Sequence, residues 1–161
     1  MAVSDKQRPL GLKEGVEVPD AVLRKLEYIE AFDLEADDEF ASTLKKLTHK
    51  GATLEFKRFL ALPLIYSTEQ ASAFAPSLPI DSLWHAFILN TRQYRKFCEE
   101  VYGYYLDHIP GKSRHQTAQK IFAFDGPMKF TVEKLNMTFE GVNKNFWRKI
   151  AYCGPCLLRK F

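Results

Sequence analysis

The chain has 161 residues, of which 46% are apolar and 27% charged, a balance that suits one globular domain and excludes a disordered chain. Its net charge of +3 is too small to announce a nucleic-acid protein, and no apolar run approaches the roughly 20 residues that cross a bilayer. Three cysteines, an odd number with two crowded near the end, exclude a secreted disulfide framework and leave metal binding, redox chemistry or burial.

The opening Met1-Ala2-Val3-Ser4-Asp5-Lys6 has no apolar stretch of a signal peptide, so the expected location is cytoplasmic. Residues 1–18 mix Pro9, Gly11 and Gly15 with alternating charges and read as an arm, lying on the domain or loose in solvent. Residues 19–152 read as one helical domain and 153–161 as a cysteine-containing tail. Pro19-Asp20 is a helix start, and Val22, Leu23, Leu26, Ile29 and Phe32 follow at helical spacing. A second helix is expected from Asp37 to His49, stopped by Gly51, with Phe40, Leu44 and Leu47 on one face. A third, Ala52 to Tyr66, turns Leu54, Phe56, Phe59, Leu60 and Leu62 inward, and Pro63 should kink or end it.

Ser67 to Pro79 reads as a loop. A helix then begins at Pro79-Ile80-Asp81 and runs to Leu89, with Asp81 as N-cap or first-turn acid. Asn90-Thr91 is a break, Thr91 caps the next helix, and Gly103 ends it after Tyr102. Tyr104 to Pro110 should be irregular, Gln116 to Phe124 and Phe130 to Phe139 two further helices, and Asn143 to Tyr152 a short one. The predicted fold class is mainly α, a compact helical domain with an irregular C-terminal segment.

Chemistry concentrates in the middle. Asp81 and His85 are four apart and share one helix face, so the carboxylate either orients the imidazole or joins it on a metal. Cys98 on the next helix and His108 beyond Gly103 are brought near if the two helices form a hairpin, and imidazole, thiolate and carboxylate together make a set that zinc accepts. The plain reading is a buried His bonded to Asp and a buried Cys, both common in cores. Cys153-Gly154-Pro155-Cys156 has the letters of a thioredoxin turn but lies too near the end to complete that fold; its two thiolates are further candidate zinc ligands, or simply reduced thiols on a tail. His49 reads as a helix C-terminal residue and His115 as a loop residue.

The run from Ile80 to Cys98, followed by Gly103 and His108-Ile109-Pro110, resembles the glycine-rich-domain-containing-protein-like family, whose pattern falls on Asp81, Trp84, His85, Thr91, Tyr94, Cys98, Gly103 and His108. The resemblance covers roughly residues 52–156 and takes in Glu55 to Leu60 upstream and Trp147 with the terminal cysteines. Two departures stand out: Ala86-Phe87 follows Trp84-His85 where relatives often place another His, and the tail has no Gly-rich extension. The resemblance implies a helical fold and a polar cluster and names no reaction.

Charge divides the chain after His108, with 13 Lys/Arg against 17 Asp/Glu before that point (−4) and 10 against 3 after it (+7). Residues 109–161 therefore either meet nucleic acid or form a solvated face or a contact with the acidic half. No phosphate loop, nucleophile elbow or HExxH motif is present. The leading expectation is a small binding domain with a structural or regulatory metal site that acts through a protein partner. An enzyme using His85 with Asp81 as base and Cys98 or a metal-bound water as nucleophile is the alternative, and nucleic-acid association the second.

Overall fold

The computed structural model describes residues 7–47, 51–66, 74–108 and 118–148, with side chains from 128 onward in the last stretch. Among the described residues the chain is mainly helical, with six α-helices and no strand. Helix α1 (Asp20–Ala31) follows Pro19 and buries Leu26 and Ile29, while Val22 and Leu23 are partly covered. Helix α2 (Asp38–Lys46) is capped by the Asp37 carboxylate, which accepts from the Phe40 amide at 2.9 Å, and it puts Phe40 in the core. Helix α3 (Ala52–Ile65) carries Pro63 in its last turn and ends two residues later.

Helix α4 (Leu78–Leu89) starts one residue before the predicted proline and buries Ile80, Asp81, Leu83, Trp84, Ala86 and Phe87. It packs against α2, α3 and α5 (Thr91–Tyr102), which explains why its apolar residues are not confined to one stripe. Asn90, not Thr91, caps α5: its side chain accepts from the Gln93 amide at 3.3 Å while its amide group donates to Asp37 at 2.7 Å. Gly103, at φ +75°, ends α5 in the left-handed conformation that glycine adopts without strain.

Where two helices are expected near the C-terminal side, one continuous helix α6 (Ala118–Thr138) runs through Gly126-Pro127. A proline removes one ladder hydrogen bond, and beyond it the buried Met128, Thr131, Leu135 and Thr138 hold the helix to the rest of the molecule. The predicted helix from Asn143 is a single 3-10 turn, Lys144–Trp147, among the described residues. Leu54 is 40% exposed, in contrast to the inward position expected of it.

Aromatic rings fill the centre. Phe32 meets Phe97 at 5.1 Å, Phe87 meets Tyr94 at 5.1 Å and Phe59 meets Trp84 at 5.4 Å, all near edge-to-face, the arrangement that ring quadrupoles favour.

The described part of the arm belongs to this core. Pro9–Gly11 forms a 3-10 turn, Leu10 and Leu12 are buried, and residues 11–13 hydrogen-bond to 138–140 through Lys13 N to Thr138 O and Glu140 N to Gly11 O. The two ends meet on the side chain of Arg58, which donates to Leu10 O at 2.9 Å and Glu140 O at 2.7 Å and pairs with Glu55 at 2.9 Å. Glu55 in turn accepts from the Asn143 amide and from the Trp147 indole at 2.9 Å. No helix among the described residues is long and apolar enough to cross a membrane.

Candidate metal centre

Asp81 lies in the first turn of α4 and His85 one turn later, so both project toward the same side. His108 arrives from the irregular segment after α5, which crosses back over α4. That segment is fixed by Tyr94: its hydroxyl donates to Leu106 O at 2.6 Å and accepts from the Trp84 indole N–H at 3.0 Å. Trp84 then provides the floor under His108, with ring centroids 4.5 Å apart. Trp84 and Tyr94 are thus the supports of His108, a role that spacing alone did not disclose.

The three side chains converge. One potential ligand atom from each of Asp81, His85 and His108 lies within 4.8 Å of the others. His85 Nε2 and His108 Nε2 are 3.0 Å apart, and His108 Nε2 is 3.3 Å from Asp81 Oδ1. The Asp81 and His108 side chains are 6% and 5% exposed, whereas that of His85 is 46% exposed, so the cluster opens to solvent on the His85 side.

Hydrogen bonding fixes the tautomers. His85 Nδ1 is 2.8 Å from the Asp81 main-chain carbonyl, which can only accept, and 3.2 Å from Asp81 Oδ2. The proton of neutral His85 therefore sits on Nδ1, and Nε2 presents its lone pair to the cluster. His108 Nε2 faces that lone pair and the Asp81 carboxylate, so without a metal it carries the proton, leaving its buried Nδ1 without a hydrogen-bond partner among the described residues. Burial lowers the His108 pKa from 6.5 to about 4, with the neighbouring His85 acting in the same sense and Asp81 opposing both. His108 is accordingly neutral near pH 7, and metal binding through Nε2 would shift its proton to Nδ1.

This geometry suits a metal ion. Two imidazole nitrogens on a tetrahedral zinc, each bonded at about 2.0–2.1 Å, stand about 3.3–3.4 Å apart, within a few tenths of an ångström of the spacing here. The contact from His85 Nδ1 to the Asp81 carbonyl is the outer-shell bond that typically orients a metal-bound imidazole.

Of the other predicted ligands, Cys98 is not brought into the group. Its side chain is buried next to Tyr94 and the Leu106 backbone, and burial raises its pKa, with those two neighbours acting in the opposite sense. A protonated, inaccessible thiol is a poor nucleophile as well as a poor ligand. Cys153 and Cys156 lie outside the described residues, as do His49 and His115. The open clefts of about 500 and 310 Å³ are elsewhere: the first is lined by residues such as Leu10, Glu30, Leu44 and Lys57, the second by Arg8, Leu23 and Glu27.

No curated protein and no solved structure matches the chain. The sequence pattern of one family does, over residues 23–137, well over half of the chain and the whole stretch that builds the cluster from Asp81 to His108. The chain belongs to the UCP032817-like family.

Proposed function

We propose that this domain binds one divalent transition-metal ion, zinc in the first instance, through an Asp81 carboxylate oxygen and the Nε2 atoms of His85 and His108, and that the loaded domain works as a binding module through a protein partner. The observation that carries the metal is the convergence of the three ligand atoms within 4.8 Å with the His85 lone pair already turned inward. Binding is favoured over turnover because the Cys98 thiol, the candidate protein nucleophile, is buried and protonated. The finer resemblance to the glycine-rich-domain-containing-protein-like family fits this reading, since the residues that carry it include the three ligands and their supports Trp84 and Tyr94.

The test is zinc titration of chelator-treated protein by calorimetry, with native mass spectrometry for stoichiometry. One equivalent is expected for the wild type. Asp81→Ala and His85→Ala should each weaken binding by more than the roughly 10–100-fold that outer-shell partners command. His85 is half-exposed, so His85→Ala should keep the native circular dichroism. Wild-type protein that takes up no ion, or a His85→Ala variant that binds as tightly, overturns the proposal.

A further inference from the structure

Resting on the metal reading above, we infer that Asp81, His85 and His108, the three ligands among the described residues, leave the ion an open corner on the His85 side, and that this corner takes a monoanionic oxygen donor: the carboxylate of a small molecule or of a peptide chain. The juxtaposition that carries this is a three-ligand cluster with two buried walls, Asp81 and His108, and one half-exposed wall, His85. Three protein ligands with a free fourth position distinguish an exchangeable site from a closed structural one.

Charge selects the class of ligand. A divalent ion with one carboxylate and two neutral imidazoles keeps a residual charge of +1 in a site covered on two sides. Excess charge of either sign is disfavoured where water is partly excluded. A carboxylate neutralises that charge, whereas a phosphate, with about −1.5 to −2 near pH 7, overshoots it. Carboxylate oxygen is also a ligand that zinc accepts readily. A thiolate would satisfy the same charge requirement, but Cys98 is fully buried and its sulfur is not among the convergent ligand atoms.

The experiment uses the full-length chain loaded with cobalt(II) in place of zinc, whose visible spectrum reports coordination directly. Sodium acetate is the first probe and inorganic phosphate the second, titrated at constant ionic strength. The expected result is a saturable one-site change in the cobalt bands with acetate, with acetate bound about tenfold more tightly than phosphate. Cobalt that binds but gives a spectrum insensitive to acetate overturns the inference and leaves the metal site standing. A sulfur-to-cobalt charge-transfer band that disappears in Cys153→Ser or Cys156→Ser also overturns it, because the fourth corner is then closed by the chain itself. Tighter binding of phosphate than of acetate overturns the charge argument. Failure of cobalt to bind at all removes the metal reading and this inference together, and is told apart by the absence of any cobalt spectrum.

Discussion

His108 shows how one residue acquires its chemistry from four neighbours. Trp84 covers one face of the ring, Tyr94 fixes the backbone two residues earlier, and Asp81 with His85 meets its Nε2. Its depressed pKa makes a statement about stability. Below 6.5 the unfolded chain takes up a proton that the folded, metal-free chain refuses until about pH 4, so the contribution of neutral His108 is complete above 6.5 and is lost as the pH falls from there to about 4. The urea midpoint of metal-free protein should therefore drop through that window, and His108→Gln should flatten the slope there. An identical pH profile in the variant would show that His108 is not the group responsible. The pairing of Asp81 with His85 was legible in the sequence because a spacing of four means one helix face. The place of His108 was half-legible: the turn at Gly103 implied a return of the chain, but the hydrogen bond from Tyr94 to Leu106 that sets the register involves a backbone carbonyl, which no side-chain pattern announces. Cys98 stands apart from the cluster for a related reason. Residue type marks a possible ligand, and only packing decides whether its sulfur faces the cluster or the core.

At the scale of elements, α3 ties the molecule together through a pair of charges in its interior face. Glu55 and Arg58 are 1% and 4% exposed, and their apolar neighbours Phe56, Phe59 and Leu60 did give the helix away in the sequence. The charges themselves are buried as a pair, the condition under which such residues enter a core. Their partners are mostly main-chain carbonyls and amides at distant positions, from Leu10 to Gly141 and Asn143. Gly11 belongs to the same arrangement: its φ is +72°, and a Cβ there would stand 2.9 Å from Arg58 Nη2. Removing the guanidinium strands Glu55 as a buried, unpaired carboxylate, so Arg58→Ala should cost about 3–5 kcal/mol in urea denaturation. Arg58→Lys should recover only part of this, because an ammonium group cannot reproduce the planar fork that reaches Leu10, Glu55 and Glu140 together. A loss below about 1 kcal/mol for Arg58→Ala would place the pair in the class of exposed ion pairs.

For the whole molecule, the folding unit extends beyond the span that the family pattern matches. That match covers residues 23–137, yet Leu10 and Leu12 before it and Phe139, Phe146 and Trp147 after it are all buried in the same core. The sequence left open whether the arm lies on the domain or loose in solvent, because Pro9, Gly11 and the alternating charges break any helical period, and burial of Leu10 in a 3-10 turn and Leu12 just after it leaves no periodic trace. Deleting residues 1–13 exposes what Leu10 and Leu12 covered, at about 1.5–3 kcal/mol for each fully buried side chain, and takes from Arg58 its acceptor at Leu10. It also cuts the two hydrogen bonds that join the arm to residues 138–140. Against a usual domain stability of about 5–15 kcal/mol, the sum is a large fraction of the whole. The truncated chain should therefore lose its cooperative thermal transition or show one lowered by about 10 °C or more, given that about 1 kcal/mol shifts the midpoint of a domain this size by roughly 2–4 °C. An unchanged midpoint would mean that the contacts of Leu10 and Leu12 are replaceable and that the arm is an accessory to the fold. Zinc titration of the truncated chain extends the test to the site: α4 receives its support from α2, α3 and α5, and α3 is the helix that the arm holds through Arg58, so loosening the arm should weaken zinc binding at the proposed site, although Asp81, His85 and His108 all lie outside the arm.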